Sequence, residues 1–241
     1  MRPNLIFTGP TLSHPEAQNA VDAICLPPAA QGSIVAAVQH YDPAVIVLID
    51  GYFQSEPAVR HKEILWTISQ GIPVIGAASM GALRAAELYP HMQGVGVIYR
   101  WYRRFPFAQD DAIAVLHGPQ EVNFSPLTHS FVDVRRTIRA ACRSNLIPAD
   151  LAGKLENTAR NLNFRERTLA QIIQNALPTS DDVDINRHRQ TLAASFIGQK
   201  KRDALSAIQL LRNEIRPPEK LINFKMTLAF YQELEDAGLA I

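Results

Sequence analysis

Short apolar runs bounded by turn residues alternate with helical stretches along the first half of the chain. Leu5-Ile6-Phe7, Val45-Ile46-Val47-Leu48-Ile49 and Pro73-Val74-Ile75-Gly76-Ala77-Ala78 are apolar at successive positions, the pattern of strands buried on both faces of a parallel sheet. Helices are expected at about 31–40 and 58–70, and at 80–88 directly after the third strand. That order predicts an α/β fold, a Rossmann-like layer with a mostly parallel sheet. Residues 112–116 are a weaker strand candidate. From about Pro126 the pattern is helical, with candidates near 127–144, 149–160, 164–176, 186–196, 201–212 and 218–237, and breaks at Pro148, Pro178 and Pro217-Pro218.

Composition shifts at the same place. Residues 1–124 hold 9 of the 12 glycines and 11 of the 16 prolines. They carry 7 basic and 10 acidic side chains, against 17 and 13 in residues 125–241. The expected organisation is therefore an α/β core over 1–124 and an all-helical region over 125–241 for packing or partner binding. With 47% hydrophobic and 20% charged residues in 241, the chain can bury a core and lacks the signature of disorder. A net charge of +1 argues against a polybasic nucleic-acid binder. Cys25 and Cys142 form no CxxC spacing, so neither a disulfide framework nor a zinc site is expected. MRPNLIFTGP has no basic-then-apolar signal pattern, and no apolar run approaches the ~20 residues of a membrane span. A soluble, cytoplasmic protein without contact to membrane is the expectation.

In an open parallel sheet, functional groups gather where strands exit at their carboxyl edge. Three exits stand out: Thr8-Gly9-Pro10-Thr11, Asp50-Gly51-Tyr52-Phe53 and Ala78-Ser79-Met80-Gly81. The third has the form of a nucleophile elbow, with a serine between small residues at a strand-to-helix turn. It departs from G-x-S-x-G in having Ala77 at the first position. Ser79 is thus a nucleophile or simply the N-cap of the following helix. A serine nucleophile needs a base, and His61 and Lys62 open the helix that follows the second exit. The neighbours of Lys62 one turn away are Ala58, Val59, Leu65 and Trp66, so nothing on its own helix pairs with its charge. Apolar surroundings favour the neutral amine that a base requires, unless the side chain snorkels to water. A Ser79–His61–Asp50 triad is the weaker arrangement.

Other features have plainer readings beside the functional ones. Asp50 could orient a base or serve the turn. Arg84 and Glu87 suit a helix-surface pair, and Asp110-Asp111 a cation or a turn. The aromatic and basic residues between Tyr99 and Phe107 suit a partner surface, a nucleic-acid grip or a packed boundary. Arg135, Arg136, Arg139 and Arg143 could face nucleic acid, solvent or an acidic protein.

IFTGPTLS at 6–13, LPPAAQGS at 26–33, IDGYF at 49–53, HKEILW at 61–66 and GAASMGALRAAEL at 76–88 together resemble the core of the TfuA-like proteins, partners of YcaO enzymes in thioamidation of peptide backbones. The resemblance covers about residues 3–120. It implies a hydrolase that uses a Ser–Lys pair to release sulfide from a thiocarboxylated ThiS-like sulfur-carrier protein for the ATP-using YcaO enzyme, which acts on a precursor peptide. Ser79 and Lys62 match the pair. The mechanism so implied is acyl transfer, with no metal or organic cofactor. Its oxyanion would be held by the N–H of Met80 and that of Gly9 or Thr11, since Pro10 has none to offer; Thr8, Asp50 and Gly81 are neighbouring binding candidates, and His61 and Arg84 secondary ones. The alternative is a non-enzymatic adaptor that docks YcaO and its peptide.

Overall fold

The structure, a computed structural model, describes residues 2–54, 56–213, 215 and 222–240. At its centre is a five-stranded sheet of β1 (Asn4–Phe7), β2 (Ile24–Leu26), β3 (Val45–Leu48), β4 (Val74–Ala77) and β5 (Gln93–Val95). All neighbours are parallel and the order is β2-β1-β3-β4-β5, a doubly wound arrangement whose order reverses between β1 and β3. The residues of β3 and β4 are buried throughout, which is why continuous apolar runs disclosed them. The edge strands β2 and β5 have three residues each and no buried position, and their pattern is correspondingly mute.

Five helices connect or follow the strands: α1 (His14–Ala20), α2 (Ser33–Tyr41), α3 (His61–Ser69), α4 (Met80–Glu87) and α5 (Gly96–Arg104). The expected helices at 31–40, 58–70 and 80–88 correspond to α2, α3 and α4. α1 carries Pro15 in its opening turn, where a missing N–H costs nothing. The expected strand at 112–116 is replaced by a 3-10 turn over Asp110–Ile113. Two acidic residues in its first turn favour a helix start, and Leu116 instead bonds Leu127 and Thr128 outside the sheet.

The helical part comprises α6 (Phe131–Arg143), α7 (Ala149–Asn161), α8 (Leu169–Ala176), α9 (Asp182–Ala194), α10 (Gln199–Ile208) and α11 (Leu228–Asp236). Of the helix expected over 218–237 the later part is found, as α11; residues 222–227 are not helical, and the first residues, with the Pro217-Pro218 break, lie outside the described residues. Composition shifts near residue 124, but packing divides elsewhere: one compact unit joins Met1–Phe107 to Lys201–Ile241, and the other is Ala108–Lys200. The return is driven by apolar burial. Ala204, Ala207 and Ile208 of α10 pack with Ile6, Val47 and Ile75 of the sheet, and Phe230 and Leu234 of α11 pack on Val35 and Trp66.

In the second unit a fully buried Arg167 is satisfied by Asp111 Oδ2 at 3.0 Å and by the carbonyls of Ala159 and Leu162. Arg135, Arg139 and Arg160 converge on Glu156. Two of the four arginines that suggested a basic face are therefore paired on their own bundle. No described helix is long and apolar enough to cross a membrane.

Candidate functional site

The registers Phe7 with Leu48 and Leu48 with Gly76 bring the exits of β1, β3 and β4 to one edge of the sheet. Asp50, 1% exposed, closes the exit of β1. Its Oδ2 accepts from the N–H groups of Gly9 at 3.0 Å and Thr11 at 2.9 Å, and its Oδ1 from the Thr11 hydroxyl at 2.6 Å. The Thr8 hydroxyl donates to the Leu12 carbonyl at 2.7 Å. Two of the expected oxyanion donors are thus engaged by a carboxylate of the same chain. Asp50 orders a loop and orients no histidine.

The exit of β4 is different. The Ser79 N–H donates back to the Ala77 carbonyl at 2.7 Å across Ala78, whose φ is 65°. A bond from i+2 to i over a positive-φ residue is the rare, strained form of γ-turn, and strain of this kind persists only where the surroundings enforce it. Here they do. A Cβ on Gly81 would overlap the Leu48 carbonyl oxygen, and one on Gly76 would overlap that of Gly81. β4 and α4 therefore meet backbone to backbone, and the turn between them has no room to relax.

Ser79 occupies the N-cap of α4 by its backbone, its carbonyl accepting from Ala82 at 2.9 Å and Leu83 at 3.3 Å. Its side chain makes no cap bond, and among the described residues its hydroxyl has no hydrogen-bond partner, although the residue is only 7% exposed. Capping therefore accounts for the position of Ser79 and leaves the hydroxyl unexplained. The Gly81 N–H donates to the Ile49 carbonyl at 3.1 Å. Of the named donors, the Met80 N–H is the one without an acceptor among the described residues.

His61 and Lys62 leave the start of α3 in different directions. His61 Nε2 meets Glu87 Oε2 at 2.8 Å, and Arg84 Nη1 reaches the same oxygen at 2.7 Å while its Nε donates to the Val59 carbonyl. Burial raises the Glu87 carboxyl, but His61 and Arg84 outweigh it and hold the group below its usual value. The Ser79–His61–Asp50 triad is not assembled. Lys62 Nζ donates to Thr227 Oγ1 at 2.7 Å, and no hydrogen bond joins it to Ser79 among the described residues.

Glu63 escaped the sequence reading. It is 1% exposed and accepts from the N–H groups of Arg60 at 2.7 Å, Gly32 at 3.2 Å and Ile34 at 3.1 Å, tying the starts of α2 and α3 together. Its place in the first turn of a helix was the available signal. Burial pushes its carboxyl up to about 7, against the three N–H groups that lower it. Thr227 was missed because only the fold brings it to Lys62. Burial also pushes the Cys25 thiol up to about 11, so it offers little thiolate as a rival nucleophile. No group of three or more metal-ligating side chains is found among the described residues.

Residues 50–168 match the family described as TfuA-like protein. The match contains the exits of β3 and β4, with Asp50, Lys62 and Ser79, and extends into the helical unit; the segments at 6–13 and 26–33 lie before it. No curated protein matches the chain.

Proposed function

The chain is a TfuA-like protein, and from that premise we propose that it releases sulfide from a thiocarboxylated ThiS-like carrier protein, with Ser79 as nucleophile and Lys62 as base. The family is linked to YcaO-dependent thioamidation of peptide backbones. The observation that carries the enzymatic reading is the turn at Ala78–Ser79: a strained backbone presents a hydroxyl, beside the N–H of Met80, and neither has a hydrogen-bond partner among the described residues.

In this mechanism neutral Lys62 takes the proton of Ser79 Oγ, and the alkoxide attacks the carbonyl carbon of the carrier's terminal thiocarboxylate. The Met80 N–H donates to the oxyanion. The carbon–sulfur bond breaks, sulfide leaves, and a water molecule hydrolyses the acyl-serine to the carrier's carboxylate, with the Lys62 proton shuttled through both halves. Thiocarboxylate and water are thereby converted to carboxylate and hydrogen sulfide. Once the carrier tail is seated, the lone pair of the Lys62 amine accepts from the Ser79 hydroxyl while an amine N–H still donates to Thr227, since catalytic hydrogen bonds commonly form only in the substrate complex.

The non-enzymatic adaptor is the competing reading. Purified protein incubated with thiocarboxylated carrier, in the absence of YcaO, should produce sulfide and carboxylated carrier with turnover. A protein that binds YcaO but leaves the thiocarboxylate intact would be an adaptor.

A further inference from the structure

Lys62 is held from the far end of the chain. On α3 the residues Lys62 and Trp66 are four apart and share one face. Trp66 packs with Val35, Phe230 and Leu234, so α11 covers that face. The residue that meets the amine is Thr227, 165 positions away in sequence. Its Oγ1 also accepts from the Phe230 N–H at 3.3 Å, capping α11. The helix is itself clamped. Gln31 Nε2 donates to the Glu233 carbonyl at 2.8 Å and Gln39 Nε2 to that of Ala240 at 2.6 Å. A Cβ on Gly32 would come within 2.6 Å of Ala237 Cβ, so only glycine lets the end of α11 sit this close.

We propose that Thr227 is a positioning residue that sets the orientation of Lys62, making the C-terminal helix part of the catalytic apparatus. The proposal rests on the reading of Lys62 as the base. Its physical content is that the partner is a neutral hydroxyl. A carboxylate at this point would fix the ammonium form by opposite charge, whereas a hydroxyl steers the amine and leaves it free to lose its proton. Without the hydroxyl, a four-carbon side chain with several rotatable bonds would spread over many directions. The helix that brings Thr227 lies outside the family-matched segment, yet it supplies the contact that Lys62 finds nowhere on its own helix.

Full-length Thr227→Ser, Thr227→Val and Thr227→Asp proteins test this through the pH dependence of Lys62 acetylation by acetic anhydride, read by peptide mass spectrometry, alongside sulfide release. Aspartate is a strong N-cap, so Thr227→Asp keeps α11 folded. It should nevertheless move the midpoint of Lys62 labelling upward by about one pH unit and cut sulfide release at pH 7 by about tenfold, with recovery at higher pH. Thr227→Ser should match the wild type in both, and Thr227→Val should lower release with a changed labelling rate. If Thr227 only caps α11, the folded Thr227→Val protein will label and release sulfide like the wild type, and the proposal falls. If the labelling shift occurs but no protein, wild type included, releases sulfide, the control of Lys62 by Thr227 stands and the hydrolase reading fails.

Discussion

At the scale of single residues, arginine separates a base from a charge at position 62. Arginine keeps the positive charge but cannot be deprotonated in a protein. Lys62→Arg should therefore be as inactive in sulfide release as Lys62→Ala, each reduced by at least about a hundredfold. An active Lys62→Arg protein would leave Lys62 as an attractor of the anionic thiocarboxylate. Glu63 makes a second prediction, on stability. Its folded value of about 7 lies above the ordinary 4.5 because burial disfavours the charge. The folded state thus binds the proton more tightly than the unfolded one. The stabilisation is complete below about pH 4.5 and is lost as pH rises through 7. Thermal unfolding should show Tm falling by several degrees between pH 5.5 and 8, at about 2–4 °C per kcal/mol for a chain of this size, and Glu63→Gln should flatten that part of the profile. A Tm that rises across the window would mean that the three N–H groups outweigh burial.

Among elements, the junction of β4 with α4 is the most constrained. Gly81 sits against the Leu48 carbonyl, and any side chain must displace backbone of β3. Gly81→Ala is expected to destabilise by about 3 kcal/mol or more, measured by urea unfolding; a loss below about 1 kcal/mol would show that the junction can open. This junction also shows what periodicity can and cannot disclose. The apolar run from Pro73 and the serine after it were legible because a strand buried on both faces has no polar positions to break it. The strain at Ala78 was not, because an alanine in sequence carries no mark of a positive φ. β2 and β5 went unseen for the opposite reason: at the sheet's edges they are short and half-exposed, so no pattern of burial was written into them. The arginines of α6 were visible as a set, but Glu156, which pairs two of them, lies on another helix.

For the whole molecule, the chain's return matters most. Composition divides it near residue 124, yet α10 and α11 close back on the sheet-bearing unit and deliver Thr227 to Lys62. A shift in glycine and proline content reports the kind of element being built, and says nothing about where that element packs. The strand exits carrying Asp50 and Ser79 followed from order alone. The division of labour between them did not, since only packing shows that Asp50 consumes the N–H groups of Gly9 and Thr11 while the Met80 N–H has no acceptor among the described residues. The central claim is that Ser79 performs chemistry. Sulfide release from thiocarboxylated carrier by wild type and Ser79→Ala tests it most directly, with Tm recorded for both. Because the hydroxyl makes no cap bond, Ser79→Ala should keep its stability to within about 1 kcal/mol while sulfide release falls to background. A folded Ser79→Ala protein that releases sulfide at the wild-type rate would contradict the account.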